Sequence, residues 1–178
     1  IVGHVGRYDP AKNHETIFRV AASIIKLDPT VTFVFCGKGT DSADFRKRLE
    51  FHGIADHCIS LGLQPNMPRV YRCFDVFYFP SVTEGQPNAL IEAQLAKVPI
   101  VASDIPGVRD AVSPMLHSEL VPPTSVQDAV KAILVKLEST IGETLKVFDW
   151  ASAQFELEKN MRTALKEFEK ESIVGRHA

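Results

Sequence analysis

Short apolar runs alternate along the chain with longer stretches in which apolar residues recur at helical spacing. Runs rich in β-branched and aromatic residues predict strands at residues 1–5, 31–36, 58–61, 75–79, 99–102 and 119–121. Between the first two runs, apolar side chains repeat at i, i+4, i+7 and i+8, which predicts a helix from near Asn13 to just before Pro29. This alternation predicts an α/β fold with a Rossmann-like, doubly wound parallel β-sheet.

Further helices follow from the same spacing in the rest of the chain. They are predicted after Ser42, through Tyr71, after Pro87 and over residues 126–137. The tail over residues 150–171 is also helical in period but richer in charge. We therefore expect one domain over residues 1–149 and a C-terminal helical extension over residues 150–178.

Composition narrows the class of protein. The 178 residues are 45% apolar and 24% charged, which is typical of a globular domain and excludes disorder as the main state. A net charge of −2 disfavours a nucleic-acid binder that relies on a basic face. Three widely spaced cysteines predict buried, reduced thiols, and the lack of a long apolar run predicts a cytosolic-type domain. Because a strand is predicted at residue 1, we expect the chain to be part of a longer protein.

Candidate chemistry begins at the end of the first strand. Gly6 permits close approach of a ligand to the backbone, and Arg7 and Lys12 supply two cations that can meet a phosphate. The second strand ends in Gly37, Lys38, Gly39 and Thr40. That segment lacks the third glycine of the dinucleotide-binding fingerprint, and a plain turn explains it as well as a ligand does.

A second candidate segment follows the fourth strand. Glu84 lies in a loop, a helix starts near Asn88 and Ala89, and Glu92 comes eight residues after the first acid. Free amides at a helix N-terminus favour an anion such as a diphosphate. Two carboxylates beside an anion site indicate a ligand that also carries hydroxyl groups. The combination points to a nucleotide sugar.

These segments together resemble a known family. The spacing Glu84-x7-Glu92 within EGQPNALIEAQ, preceded by DVFYFPS, is similar to the signature of the retaining GT-B glycosyltransferases. GHVGRYDPAKNHE at the start and PIVASDIPGVRD after the signature resemble two further segments of that family, in the same order. The similarity extends from residue 1 to about residue 168. It implies the C-terminal, donor-binding half of a GT-B fold.

The resemblance assigns roles to the candidate residues. It implies that Arg7 and Lys12 pair with the donor diphosphate and stabilise the leaving group, while the amides of Asn88 and Ala89 bind it from the other side. By the same resemblance Glu84 holds hydroxyls of the transferred sugar and contributes to catalysis with the two cations.

The remaining implied contacts concern the nucleoside. Glu92 is expected to take the ribose diol, Gly6 and Gly37 to lie against the donor, and residues 61–63 to contact the base. A UDP-sugar is the expected donor, with a GDP-sugar as the alternative. Because no Asp-x-Asp pair occurs, we expect no metal ion and no further cofactor.

For the intact protein, the resemblance implies a hexosyltransferase that acts with retention on a saccharide or lipid-linked acceptor in polysaccharide or glycoconjugate biosynthesis, as in capsule formation. An N-terminal acceptor domain would be its partner, with the tail packed on it. A cytoplasmic location, at the inner face of the membrane through that domain, is expected. The present chain alone is expected to bind donor yet transfer sugar poorly or not at all.

Three residues depart from the pattern that is common in this family, and several other functions are alternatives to the one that the resemblance implies. Gln86 and Pro87 replace a common Phe-Gly pair, and Lys97 replaces a glycine, which introduces strain if the position needs a positive φ. A noncatalytic nucleotide-binding or interaction module, a sugar-nucleotide epimerase, a phosphorylase and a glycoside hydrolase are the rival functions. The joint presence of Arg7, Lys12 and the two acids disfavours the interaction module.

Overall fold

The computed structural model describes residues 1–138 and 142–155, without the side chains of 142–144. Strands alternate with helices along the chain, as the apolar pattern predicts. The elements, in order, are β1 (Val2–Val5), α1 (His14–Leu27), β2 (Phe33–Cys36), α2 (Ala43–Phe51), β3 (Cys58–Gly62), α3 (Met67–Tyr71), β4 (Val76–Phe79), α4 (Asn88–Leu95), β5 (Ile100–Ala102), α5 (Pro106–Ala111), α6 (Val126–Glu138) and α7 (Gly142–Phe155). Short 3₁₀ helices cover Pro10–Lys12, Ala55–His57 and Pro114–Glu119.

All described strands run parallel in one sheet of order β3-β2-β1-β4-β5. The central strand β1 pairs with β2 on one side, Val2 opposite Phe33, and with β4 on the other, Val2 opposite Val76. The chain adds β2 and β3 on one side of β1 and then β4 and β5 on the other side, so the strand order reverses between β1 and β4. This confirms the predicted doubly wound parallel fold and opens a crevice at the carboxyl ends of these two strands.

The strand predicted at residues 119–121 is wrong. Pro114–Glu119 is a 3₁₀ helix, and Val121 makes an isolated bridge to Ser103. Val121 donates to the Ala102 carbonyl and accepts from the Asp104 amide. Pairing stops there because the next two residues are prolines, which lack an N–H donor.

The hydrophobic core has two parts, one on each face of the sheet. On one face α1 and α6 pack over side chains that include Phe33 and Phe35. On the other face α3, α4, α5 and α7 cover Phe77 and Phe79. Strands covered on both faces are apolar throughout, which explains their uninterrupted apolar runs in the sequence.

The C-terminal helix begins earlier than predicted. Helix α7 starts at residue 142, and its Val147 and Ala151 are buried, with α7 packed against α4. The predicted boundary between residues 149 and 150 falls inside this helix. Most of the predicted extension, residues 156–178, lies outside the described residues.

Two local predictions concern the backbone at Lys97 and the burial of the cysteines. Lys97 follows helix α4 with φ of 61°, so this position does need the left-handed conformation that a glycine adopts at lower cost. Its ammonium lies 4.4 Å from the centre of the Phe148 ring, which ties α4 to α7. Of the three free thiols, Cys36 is buried, but Cys73 is exposed, so the expectation of buried cysteines is wrong there.

Candidate functional site

A cavity of about 480 Å³ lies at the carboxyl ends of β1 and β4, where the strand order reverses. Leu61 and Gly62, of the segment expected to contact the base, do not line it, but eight other residues that the sequence singled out for donor binding or catalysis do. These residues are Gly6, Arg7, Lys12, Gly37, Glu84, Asn88, Ala89 and Glu92. The fold therefore gathers into one place side chains that are up to 86 positions apart.

The loop that carries the two cations is shaped by its own side chains. The Asp9 carboxylate accepts a hydrogen bond from the Ala11 amide at 2.9 Å and begins the 3₁₀ turn that ends at Lys12. Asn13 follows with φ of 55° and starts helix α1. Among residues other than glycine, Asn is one that tolerates this conformation, which fits its place there.

This loop is tied to the loop after β4 by hydrogen bonds. The Val82 amide donates to the Ala11 carbonyl at 2.9 Å. The Asn13 side-chain amide donates to the carbonyls of Pro80 and Pro123, at 3.2 and 2.8 Å. The sequence predicted Asn13 only as a helix start, whereas in the structure its side chain fixes the position of the two loops relative to each other.

Lys12 and Glu84 form an ion pair across these two loops. Their side chains are only 18% and 12% exposed, and the ammonium also lies 4.9 Å from the centre of the Phe79 ring. The family resemblance implied separate partners for the two residues, the diphosphate for Lys12 and the sugar hydroxyls for Glu84. An ammonium has three N–H donors, so Lys12 can hold the Glu84 carboxylate and still donate to a ligand oxygen.

Gly37 is required by the backbone packing beneath the cavity. A Cβ atom added at Gly37 would lie 2.2 Å from the Gly6 carbonyl oxygen, and its φ of 141° is one that other residues rarely adopt. The Gly37 amide donates to the Gly62 carbonyl at 2.8 Å. The absence of a side chain at Gly37 therefore lets the Gly6 backbone approach closely, independently of any ligand.

The segment predicted to contact the base is anchored by a buried hydroxyl. Thr40 is 1% exposed; it accepts from the Gly62 amide at 3.2 Å and donates to the Gly37 carbonyl at 3.0 Å. Leu63 lines the cavity and is 73% exposed. The Gln64 side chain donates to the Leu61 carbonyl at 2.7 Å.

The cavity has further lining residues that sequence reasoning did not select. They carry no periodic signal, and only their position after a strand or in the signature loop could have suggested them. They include Cys36, Gln64 and Met67. Lys38, Gln86 and Pro87, which the sequence analysis named without a binding role, line the cavity as well.

The start of helix α4 faces the cavity with unpaired amides. Pro87 precedes the helix and provides no side-chain cap. Within residues 1–138 and 142–155, no hydrogen bond is made by the amides of Asn88 and Ala89. Glu92 lies one turn further along and is exposed. An anion and a hydroxyl-bearing group can therefore be bound side by side along this helix.

The loop that carries Glu84 is supported from behind by helix α5. A Cβ atom added at Gly107 would lie 2.3 Å from the carbonyl oxygens of both Glu84 and Gly85. The glycine in DIPGVRD thus lets α5 approach this loop, a contact that the motif alone does not reveal.

Two buried histidines lie under the loop of the cations. His4 is 1% exposed, and its Nδ1–H donates to the Tyr78 carbonyl at 3.0 Å. Burial lowers the pKa of His4 well below its usual value and lowers that of His14 to about 4. His4 is thus a packed core residue. His14 is 4% exposed and does not line the cavity.

Neither a metal cluster nor a membrane-spanning helix occurs in the described ranges, 1–138 and 142–155. No group of three or more His, Cys, Asp or Glu side chains in them is suited to a metal ion. Nor does any helix there have the length and apolarity needed to cross a membrane.

Comparison with known proteins adds to this geometry. The profile of the family described as "Glycosyl transferases group 1" matches residues 1–168. A 2-deoxystreptamine glucosyltransferase of Streptomyces kanamyceticus is 27% identical over 99% of this chain and 46% of its own length. The putative glycosyltransferase EpsF of Bacillus subtilis is 31% identical over 58% of this chain and 27% of its own. The chain thus spans less than half the length of these curated relatives.

Among solved structures, a Staphylococcus aureus TarM mutant in complex with fondaparinux, alpha-GlcNAc-glycerol and UDP superimposes with a TM-score of 0.82 at 24% identity. The superposition covers 93% of this chain and 34% of that one. Anabaena HepE in complex with UDP-glucose is similar as well, with a TM-score of 0.79 at 22% identity, over 93% of this chain and 48% of that one. These likenesses establish the shared fold.

Proposed function

Because the chain belongs to the glycosyl transferases group 1 family, we propose that it is the donor-binding part of a glycosyltransferase that takes its sugar from a nucleoside-diphosphate donor. One observation carries the proposal. Two cations, the free amide end of a helix and two carboxylates line a single cavity where the strand order of a parallel sheet reverses. Such crevices are where doubly wound sheets bind ligands.

The diphosphate lies between Arg7 and Lys12 on one side and the amides of Asn88 and Ala89 on the other. Backbone packing of Gly6 against Gly37 keeps the first side close to the sheet. The positive end of helix α4 and the cations of Arg7 and Lys12 attract the same anion from opposite directions. This arrangement supports both binding of the diphosphate and stabilisation of its charge when it leaves.

The two carboxylates bind hydroxyl groups on either side of that anion. Glu84, held by Lys12, accepts hydrogen bonds from hydroxyls of the transferred sugar, and Glu92 accepts from the ribose diol. An ionised carboxylate only accepts hydrogen bonds, so each needs neutral donors close to a phosphate of the same charge. The hydroxyl groups of a nucleotide sugar supply them.

The reaction transfers the glycosyl group with retention of anomeric configuration and without a metal ion. The bond between the anomeric carbon and the diphosphate oxygen breaks, a new bond forms to a hydroxyl oxygen of the acceptor, and the proton of that hydroxyl passes to the departing diphosphate. Preorganised donors stabilise the developing negative charge on the leaving group, and Arg7, Lys12 and the amide end of α4 are those donors. Analysis of the product anomer by NMR tests the retention.

The donor carries uracil, bound against residues 61–63. The similar structures of TarM and HepE contain UDP or UDP-glucose, which supports this choice, and a GDP-sugar is the alternative that a binding test separates. The acceptor is a saccharide or a lipid-linked saccharide of polysaccharide or glycoconjugate biosynthesis, capsule included.

The rest of the enzyme is proposed from the relatives' greater length. A second domain holds the acceptor, the extension over residues 150–178 packs on it, and any contact with the inner face of the membrane is made there. The enzyme is then cytoplasmic. The present chain is expected to bind donor and to transfer sugar poorly without that domain.

Calorimetric titration of the 178-residue chain with UDP, GDP and ADP, in EDTA, tests the donor site. We expect UDP to bind most tightly and Arg7→Ala and Glu92→Ala to weaken it about tenfold or more, since each removes a charge-assisted hydrogen bond. Arg46→Ala and Glu50→Ala are the matched controls, because they remove one exposed ion pair on α2, away from the cavity.

The outcomes separate the components of the proposal. Equal losses in the control variants would show that the cavity is not the nucleotide site. Binding that needs added Mg²⁺ would contradict metal independence, and tighter binding of GDP would contradict uracil. A folded chain that binds no nucleoside diphosphate would overturn the donor-site assignment and favour an interaction module.

A further inference from the structure

A buried glutamine joins helix α4 to the end of helix α5. Gln94, in the last turn of α4, is 0% exposed. Its side-chain amide donates to the Ala111 carbonyl at 2.8 Å, and its side-chain carbonyl accepts from the Ser113 amide at 2.9 Å. The same amide group also donates to the Leu90 carbonyl at 3.1 Å, one turn back in α4. The side chain is thus held by its own helix and by the segment that ends α5.

These hydrogen bonds fix where α4 lies along α5. The other side chains buried between the two helices include Leu90, Ala93 and Val108, which are apolar. Apolar contact has no preferred direction, so small side chains alone would let one helix slide along the other. Hydrogen bonds demand a narrow range of distance and angle, and a buried polar group left unpaired is costly. Gln94 therefore selects one relative position of the helices.

Helix α5 extends this connection to the loop of Glu84. Its residues are Pro106–Ala111, so the carbonyl that Gln94 contacts belongs to its last residue. Near its other end lies Gly107, where an added Cβ atom would be 2.3 Å from the carbonyl oxygens of Glu84 and Gly85. One short helix thus touches the loop of Glu84 at its start and Gln94 at its end.

Helix α4 carries the opposite end of the connection into the donor cavity. Asn88, Ala89 and Glu92 of this helix line the cavity, whereas Gln94 does not. A shift of α4 along α5 would move the amide end and the Glu92 carboxylate together, relative to the loop of Glu84. Both groups can bind one ligand with the cations opposite only while α4 stays in place.

We propose that Gln94 is a positioning residue for the donor site. It sets the place of the amide end of α4 and of Glu92 relative to the loop of Glu84, and it acts through the helix without touching the donor. Because the hydrogen bonds hold α4 before the donor arrives, binding does not have to order it. This inference rests on the proposed function, since it takes the cavity as the donor site.

Two variants break the connection from opposite sides. Gln94→Met keeps an unbranched side chain and removes both amide donors and the acceptor. Ser113→Pro removes the backbone donor, and its φ of −52° and the extended Val112 before it both suit a proline. Calorimetric titration with UDP is made at a temperature where circular dichroism shows each variant folded.

We expect each variant to weaken UDP about tenfold, a size typical of a change that acts through an intervening contact. The double variant should bind no more weakly than the more affected single variant, because both changes break the same connection. Additive losses would contradict that shared cause. If Gln94→Met does not fold, Ser113→Pro alone decides between the outcomes.

Ile133→Ala is the matched control, because Ile133 is equally buried but lies in α6, on the other face of the sheet. It should lower stability and leave the UDP affinity of the folded chain unchanged. Equal loss of affinity in the control would show general destabilisation and would overturn the positioning role. Unchanged affinity in folded Gln94→Met, with Arg7→Ala and Glu92→Ala still harmful, would overturn this inference alone. If those two cavity variants bind UDP normally, the proposed function fails and the inference with it.

Discussion

The cation wall of the cavity, residues 6–12 with Gly37, packs backbone against backbone, whereas the carboxylate wall, residues 84–92, rests on a few contacts from behind. In the first, a Cβ at Gly37 would meet the Gly6 carbonyl at 2.2 Å. In the second, α5 approaches at Gly107 and the Tyr71 hydroxyl contacts Ala89. The ion pair of Lys12 with Glu84 joins the two walls.

This difference predicts which wall mainly affects the stability of the fold and which mainly affects binding of the donor. The cation wall lies over the buried histidines and the sheet, so a change there disturbs the core of the domain. In the carboxylate wall Gly85, Gln86, Asn88 and Glu92 are exposed, and its supports are single contacts. We therefore expect substitutions in the cation wall to lower stability first, and substitutions around the carboxylate wall to lower affinity for the donor first.

The largest effect is expected at the glycine of the cation wall. Gly37→Ala combines a steric clash with fixed backbone and a φ of 141°, so the free energy of unfolding should fall by about 3 kcal/mol or more. Urea denaturation measures it. Gly53→Ala is the control, because Gly53 also has a positive φ but no atom within 4 Å of an added Cβ, and only about 1 kcal/mol is expected. Equal losses in the two variants would contradict the backbone packing.

Acid should weaken the same wall. The pKa of His14 is about 4 in the folded protein and near 6.5 when unfolded, so protons bind the unfolded state more readily. Stability is then complete above about pH 6.5 and falls by about 2 kcal/mol from His14 alone between pH 7 and pH 5, with His4 acting in the same direction. Urea midpoints at several pH values measure this fall. His14→Phe should flatten the slope, and an unchanged slope would show that His14 does not cause it.

The smallest change in stability is expected behind the carboxylate wall. Gly107→Ala places a Cβ atom 2.3 Å from the backbone oxygens of Glu84 and Gly85 but, unlike Gly37→Ala, adds no strain from a positive φ, so we expect a smaller loss of about 1–2 kcal/mol. Donor affinity should fall about tenfold as Glu84 shifts. Parallel denaturation and UDP-sugar titration test both, with Gly85→Ala as the stability control, because an added Cβ there meets nothing within 4 Å. A large loss of stability with unchanged affinity would contradict the contrast between the walls.

Much of the candidate site could be predicted because its residues lie in short segments at strand ends. In a parallel sheet all carboxyl ends share one edge, so Arg7, Gly37 and Glu84 had to come near one another once the strands were identified. The pair Glu84 and Glu92 stood out through its position around a helix start. Their binding roles come from the family resemblance and remain predictions.

Other features could not be predicted from local sequence. The Asn13 amide reaches Pro123 over 110 positions, and Lys12 reaches Glu84 over 72. Residues 119–121 looked like a strand because their composition resembles one, while the prolines that follow limit pairing to Val121. Such contacts depend on which loops the sheet brings together, and no periodicity records them.

The sequence by itself determined strands β1–β5, the helices α1–α4 and α6 and the residues at the strand ends, because burial and backbone preference act locally and leave periodic traces. Tertiary structure alone decided the contacts among those residues. Lys12 pairs with Glu84, Gly107 supports the loop of Glu84, and the Tyr71 hydroxyl donates to the Ala89 carbonyl, because distant segments meet only after the sheet has formed. The residues that supply the chemistry of the cavity thus lie in short motifs, and their geometry is set by contacts between motifs that are far apart in the sequence.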